Sequence, residues 1–263
     1  LDIELAFHVK HTRTIAFIAV LLAAAGSGAA AELKVMVTGS MAAPLREIAE
    51  SFARKNGHTA NVTAGITATV TATLKAGETT DVVEVTTVGM DQLEREKLIL
   101  PGSRVEIARG LIGLAVGEGA PAPDISSADA VKRVLLDARS VTHVNPRFGG
   151  QVTVNLKAFL DRLGIADEVA KKTTFAFTGE EAVQKVAKGE ADIVLAFVSE
   201  ILPIRGARWL GPLPATLQFP TNYSAAIGVG SANPELARAL LAAITSVEGR
   251  RVITDAGLEP IAR

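Results

Sequence analysis

Four turns between a strand-like run and a helix-like run carry side chains or bare backbone suited to holding an anion. Ser40 follows the run Leu33-Lys34-Val35-Met36-Val37-Thr38 and opens a helical stripe. Thr67 opens a second helix after Gly65. Gly149-Gly150-Gln151 stands in NPRFGGQVTV, between a proline-broken turn and the helical run LKAFLDRLG. Ser199 follows the strand IVLAF and precedes Glu200. A helix N-terminus leaves N–H donors unpaired and carries a partial positive charge, worth about 0.3–1 kcal/mol to an exposed anion and more when water is excluded. Ser and Thr are also the ordinary N-cap residues. Their recurrence at corresponding turns of two blocks is what points to a ligand. The glycine pair has neither the Lys-Ser/Thr ending of a phosphate loop nor the spacing GxGxxG. It is read as bare amides at a cleft wall, where a side chain would block an anion.

Other residue types near these turns extend the list. Arg147, two residues before the glycines, can clamp a carboxylate with two parallel N–H donors. Tyr223, the single tyrosine, can donate a hydroxyl into a cleft. Proton transfer at carbon would require a base, and Glu84, His143 and Glu200 are the candidates. Glu84 sits inside the strand-like DVVEV, an unusual place for a carboxylate, and His143 lies within VTHV. No Ser-His-Asp spacing, HExxH or paired metal-ligand pattern occurs. The chain has no cysteine and four histidines, two of them His8 and His11 in the N-terminal segment. A thiolate site is thereby excluded, and neither a metal centre nor a cofactor is expected.

These residues must be positioned by two blocks of alternating strands and helices. The first block reads as a strand over 33–38, a helix ended by Gly57, a strand over 60–64, a helix over 67–76, a strand over 81–85 and a helix over 89–96. The second reads as a strand over 110–116, a helix over 127–138, a strand over 140–144, helices over 154–163 and 180–188, and a strand over 191–197. A strand over 223–229 and helices over 234–245 and 247–256 close the chain. The alternation predicts an α/β fold with two lobes, each a mostly parallel sheet flanked by helices. The expected division is 32–112 with 222–263 for lobe 1 and 113–221 for lobe 2. Ligands of open α/β sheets sit beyond the carboxyl ends of strands, which here is the cleft between lobes.

The 263 residues suffice for two modest lobes with real cores. A hydrophobic content of 48% with 21% charged residues excludes a disordered chain. A net charge of −1 gives no electrostatic footprint for nucleic acid or a membrane surface. The first thirty residues differ: a basic patch from His8 to Arg13, the apolar run TIAFIAVLLAAA, then GSGAAA with small residues at Ala29 and Ala31. That is the layout of a secretory signal peptide over 1–31, so an exported protein beginning near Glu32 is expected.

Strand, Gly-Ser-Met and helix, followed by TAGITATVTATLKAGETTDVVEV, resemble the opening of the molybdate-type periplasmic binding proteins. The stretch GEADIVLAFVSEILPIRGARWLGPLPATLQFPTNYSAAIGVG and the tail TSVEGRRVITDAGLEPI are similar to a branch of that group. The resemblance covers nearly all of 32–263. It implies the two-lobed type II solute-binding fold, a periplasmic location, a small anionic ligand, and a permease of an ABC-type importer as membrane partner. The chain is expected to act as a monomer. In that family serines at the first two helix starts bind the oxyanion, and Ser40 matches the first. At the second this chain has Ile66-Thr67, and Phe197 stands where the family has a ligand-contacting tyrosine. These departures favour an anion other than molybdate. The same branch is also similar to a periplasmic aconitate isomerase, which implies proton transfer on an unsaturated tricarboxylate as the alternative activity.

Overall fold

Two mixed sheets, each covered by helices on both faces, are connected by two chain crossings. The structure is a computed structural model that describes residues 30–148 and 151–261. All elements below lie in the unit running from Ala31 to Arg263. The signal-peptide reading, apart from its last two residues, lies outside the described residues, as do Gly149 and Gly150.

The chain begins with β1 (Glu32–Thr38), α1 (Gly39–Lys55), β2 (Thr59–Gly65), α2 (Thr67–Lys75), β3 (Val82–Thr86), α3 (Thr87–Arg95) and β4 (Val105–Gly110). It then builds β5 (Ile112–Gly117), α4 (Ala128–Asp137), β6 (Val141–Val144), α5 (Gln151–Leu163), α6 (Ala166–Ala170), β7 (Thr173–Ala176), α7 (Gly179–Ala187), β8 (Ile193–Phe197), α8 (Val198–Ile201) and β9 (Ala207–Pro212). It returns with β10 (Thr221–Ile227), α9 (Pro234–Ile244), α10 (Val247–Asp255) and β11 (Glu259–Pro260). The first sheet has the order β11-β4-β10-β3-β1-β2 and the second β7-β6-β8-β5-β9.

The stripe of Leu45, Ile48 and Ala49 on α1 packs with Leu33, Val35 and Val37 of β1 and with α9 and α10 in one core. Val83 and Val85 face the opposite side, against α2 and α3. The period of two along β3 therefore sends Val82 into the α1 core and carries Glu84 to that same side of the strand. The second sheet divides in the same way. Ile193, Leu195 and Phe197 of β8 face α4 and α5. Val194 and Ala196 face α7.

The sheets are more mixed than the alternation of strands and helices predicts. Strands β1, β2 and β3 are parallel, as are β6, β7 and β8. The crossing strands run the other way: β10 is antiparallel to β3 and β4, and β5 to β8 and β9. Each enters its sheet from the opposite lobe rather than from a helix of its own lobe. The strand expected over 110–116 is β5, and a further strand, β4, precedes it. Strand β4 ends in the first sheet at Gly110, and β5 starts in the second at Ile112. Strands β4, β7, β9 and β11 and helix α6 are absent from the sequence reading; β7 and β9 are only partly buried and lack an apolar run.

One glutamine ties the two crossings together. Gln218 Nε2 donates to Ile112 O at 2.7 Å and to Leu213 O at 3.2 Å, while its Oε1 accepts from Ile112 N at 3.2 Å. Among the described residues no helix is long and apolar enough to cross a membrane.

Candidate functional site

The N-terminus of α1 opens where the two lobes meet. Its N-cap residue, Thr38, makes no side-chain cap, and its first turn holds no acidic residue. Pro44 within the helix has no N–H to give the carbonyl of Ser40, four residues earlier. The Ser40 hydroxyl donates to the Tyr223 hydroxyl at 2.7 Å. Both residues are buried, Tyr223 at 1% exposure.

Tyr223 is held by groups of both lobes. Its ring meets that of Phe197, at the end of β8, edge to face with centroids 6.2 Å apart. A Cβ at Gly110 would stand 2.9 Å from Tyr223 Cε2 and 3.3 Å from Phe197 Cδ1, so the last residue of β4 has no room for a side chain. Burial raises the hydroxyl's pKa well above its ordinary value; the Ser40 bond opposes that, and the carboxyls of Glu84 and Glu200 add to it.

Glu84 lies beneath this pair. It has no solvent exposure. Thr38 N donates to its Oε2 at 2.7 Å, and Thr38 Oγ1 donates to Oε1 and Oε2 at 3.1 and 3.0 Å. Burial pushes its pKa up to about 8, against the lowering effect of both Thr38 bonds. Thr38 Oγ1 also lies 3.4 Å from Ser40 Oγ. Glu84 thus faces neither solvent nor an open cleft; it supports the start of α1 from within.

Glu200 approaches from the other lobe, on α8, which packs against α1 and α7. It keeps partial exposure. Its Oε2 accepts from Phe197 N at 3.2 Å. A Cβ at Gly39 would stand 3.7 Å from its Oε1, and a Cβ at Gly179 would overlap the carboxyl outright. The glycine at the start of α7 therefore makes room for it, and Gly39 at the start of α1 lies alongside at ordinary contact distance. Burial raises its pKa to about 7, opposed by the Phe197 N–H and reinforced by nearby Glu180.

The remaining sequence candidates fall in different places. Thr67 opens α2 after Ile66, which makes no side-chain cap. Its hydroxyl is turned toward Thr86, donating to Thr86 Oγ1 and accepting from Thr86 N, both at 3.4 Å. Ser199 is 5% exposed, and its Oγ has no hydrogen-bond partner among the described residues. Gln151 is the first residue of α5, which starts three residues earlier than the pattern predicts. Its Nε2 donates to Asn155 Oδ1 at 2.9 Å. Asn155 Nδ2 in turn donates to Phe219 O at 2.6 Å and Thr221 Oγ1 at 2.8 Å, tying the start of α5 to the return crossing. Arg147 sits exposed in a single 3-10 turn, Pro146–Phe148, and its backbone N–H donates to Asn145 Oδ1. His143 is buried on β6, its Nδ1 paired with Val144 O at 2.8 Å and its ring edge-on to Phe175. Burial holds its pKa below the usual value, which keeps the imidazole neutral.

The structure thus brings together Ser40, Tyr223, Glu84 and Glu200 around the start of α1. It does not bring His143 or the exposed Arg147 into that set of contacts. Sequence reasoning missed Thr38, Gly110, Gly179 and Asn155. Of these only Asn155 left a signal, as a polar residue beside the apolar stripe of Val152, Leu156 and Phe159. What the four central groups offer chemically is hydroxyl donors, an uncapped helix N-terminus and two carboxyls that ionise only near neutrality or above.

Comparison with known proteins agrees with this architecture. An aconitate isomerase from Pseudomonas sp is 30% identical over 234 residues, covering 87% of this chain and 88% of that protein. The molybdate-binding protein ModA of Mycobacterium tuberculosis (strain ATCC 25618 / H37Rv) is 23% identical over 235 residues, covering 87% and 84%. The fold matches the periplasmic molybdate-binding protein of Azotobacter vinelandii with a TM-score of 0.74 at 22% identity, covering 88% of this chain and 99% of that one. It also matches the substrate-binding domain of a molybdenum ABC transporter protein from Clostridium difficile, with a TM-score of 0.71 at 15% identity, covering 89% and 100%. Residues 33–259 match the family described as bacterial extracellular solute-binding protein, and the chain belongs to that family.

Proposed function

We propose that the protein captures a small carboxylate-bearing anion between its lobes, in the periplasm, and hands it as a monomer to the permease of an ABC-type importer. The observation that carries this reading is the uncapped N-terminus of α1, with Ser40 Oγ on Tyr223 OH, at the meeting of the two lobes. A ligand oxygen there receives helix N–H donors and a hydroxyl without needing Lys or Arg. Closure of the lobes then removes water and strengthens those bonds. An organic carboxylate is favoured over a tetrahedral metal oxyanion by two departures: the Thr67 hydroxyl is engaged with Thr86, and the apolar Phe197 closes the other side.

The experiment is thermal unfolding of the chain from Glu32 onward against molybdate, tungstate, sulfate, phosphate, citrate, and cis- and trans-aconitate. A ligand at about 100 times its Kd adds roughly 2.7 kcal/mol of stability, a rise of several degrees. Stabilisation by a tricarboxylate is the expected result. Stabilisation by molybdate and tungstate alone overturns the ligand class, and silence throughout overturns anion capture at this site.

A second reading is favoured by a specific observation: two carboxyls with raised pKa values, about 8 and about 7, bracket Tyr223. Capture alone needs no base, whereas proton transfer at carbon needs one that is near half-ionised at neutral pH. On this reading the protein is an isomerase of unsaturated tricarboxylates, the activity named for its relative from Pseudomonas sp.

A further inference from the structure

We infer that Glu200 is the base that carries the proton in an allylic isomerisation of a cleft-bound unsaturated carboxylate. The inference rests on the isomerase reading above and adds the residue that performs it.

A base must reach a carbon-bound proton of the ligand. Glu84 has no exposure, and both its oxygens accept from Thr38 beneath α1. His143 is 6% exposed, and its contacts, Val144 O and the Phe175 ring, are with its own strand and the neighbouring β7. The Tyr223 hydroxyl is buried against Ser40 and holds its proton tightly. Glu200 is partly buried as a residue, whereas Glu84, His143 and Tyr223 are buried. Its Oε2 is anchored by Phe197 N at 3.2 Å, which orients the carboxyl. Oε1 lies between the starts of α7 and α1, 2.5 Å from a Cβ built at Gly179 and 3.7 Å from one built at Gly39. A carboxylate from one lobe is therefore presented beside the anion-binding end of the other.

Gly179 explains how the carboxyl can lie there. A Cβ at Gly179 would occupy the carboxyl's space, and one at Gly39 would touch it. The charged and titratable groups facing Glu200 are Glu180 from α7 and the Tyr223 hydroxyl from β10; both are acids. Neither is a cation that would hold Glu200 ionised and weakly basic. Its pKa near 7 matches a group that must both take and return a proton at neutral pH.

The step balances within one substrate. The Glu200 carboxylate takes a proton from the saturated carbon next to the double bond. The released C–H electron pair forms a new C=C, and negative charge moves onto the ligand's carboxylate oxygens, at the positive end of α1. The pair of the old double bond then takes the proton back from Glu200 at the far carbon. No electron is gained or lost, and Glu200 ends ionised as it began.

The test uses cis- and trans-aconitate as probes with the chain from Glu32 onward. Interconversion is followed by chromatography and binding by calorimetry. The wild type is expected to interconvert the two, with kcat rising as pH increases through about 7, because the base must be ionised. Glu200→Gln is expected to lose about 10²–10⁴-fold in kcat while binding trans-aconitate within a few-fold of wild type. Gly179→Ala, which keeps the carboxyl but displaces it, is expected to lower kcat more than it weakens binding. If Glu200→Gln interconverts at a wild-type rate, Glu200 is not the base, although the isomerase reading stands. If the wild type binds either isomer without interconverting them, or binds neither, both the isomerase reading and the inference fall.

Discussion

Ser40 donates its hydroxyl proton to Tyr223 across 2.7 Å, joining two residues 183 positions apart in the chain. One opens the first helix, and the other stands in the strand that returns from the second lobe. The bond makes the mouth of α1 depend on the crossing strand, so a change at either residue is felt at the proposed anion site. Ser40→Ala is expected to weaken binding of the cognate anion by about 1–3 kcal/mol, since a buried partner is left unpaired. Tyr223→Phe should lose a similar amount and lower stability as well. Calorimetry with trans-aconitate, paired with urea denaturation, separates the two effects. Unchanged affinity in Ser40→Ala removes that hydroxyl from the site.

The two raised carboxyls predict a stability that falls with pH. Below about pH 4.5 Glu84 and Glu200 are protonated in both folded and unfolded chains. Between there and their folded values of about 8 and about 7, the unfolded chain has lost protons that the folded chain still holds. Stability therefore declines as pH rises through this window, by up to about 1.4 kcal/mol per pH unit for each group, and levels off above about 8. His143 acts in the opposite sense below pH 6.5, because its lowered pKa lets the unfolded chain take up the proton first. Urea denaturation at pH 6.5, 7.5 and 8.5 should show the decline in wild type and a flatter profile in Glu84→Gln. An equal slope in both would place the Glu84 pKa near its ordinary value.

Ser199 carries a buried hydroxyl without a partner among the described residues. Such a group costs about 1–3 kcal/mol in lost hydration. Ser199→Ala should accordingly leave the ligand-free protein as stable as wild type or slightly more stable, while reducing anion affinity if the hydroxyl serves the ligand. A ligand-free destabilisation beyond about 1 kcal/mol would mean that the hydroxyl is bonded in solution.

Gly110 is required by close approach and not by an unusual backbone angle. A methyl group there meets the Tyr223 ring at 2.9 Å and the Phe197 ring at 3.3 Å. Gly110→Ala is expected to destabilise by about 1–3 kcal/mol through overpacking. Tyr223 should move with it, so ligand affinity should fall together with the midpoint of thermal unfolding. Wild-type values of both would show that the aromatic pair adjusts freely.

Asn155 spends its whole amide on linking Gln151 to Phe219 and Thr221. Asn155→Leu is near in size and leaves Thr221 Oγ1, Phe219 O and the Gln151 amide without it. A loss of about 1–3 kcal/mol in unfolding free energy is expected, with weaker closure on ligand as read by small-angle scattering. Full closure and stability would show that Gln218 alone suffices to hold the crossings.

The sequence by itself determined the elements and their order where periodicity was strong. Leu45, Ile48 and Ala49 marked the buried face of α1, and Val131 and Leu135 that of α4, because helical burial repeats every three to four residues. Ser40 and Thr67 were legible as helix starts, and Tyr223 as a residue of the return. The mixed strand directions and the break at Leu111 were not legible, because a strand's direction is decided by the neighbour it pairs with, far along the chain. Nor was the role of Glu84. A carboxylate in a strand reads as facing solvent or a cleft until the fold places Thr38 N and Oγ1 against it. Glu200 next to Ser199 reads locally as a helix-start acid. Only the tertiary structure sets it between Gly39 and Gly179, two glycines 140 positions apart, at the mouth of α1. Hydrophobic periodicity is a local property of the chain, whereas proximity between polar groups from two lobes exists only after the chain has crossed between them twice.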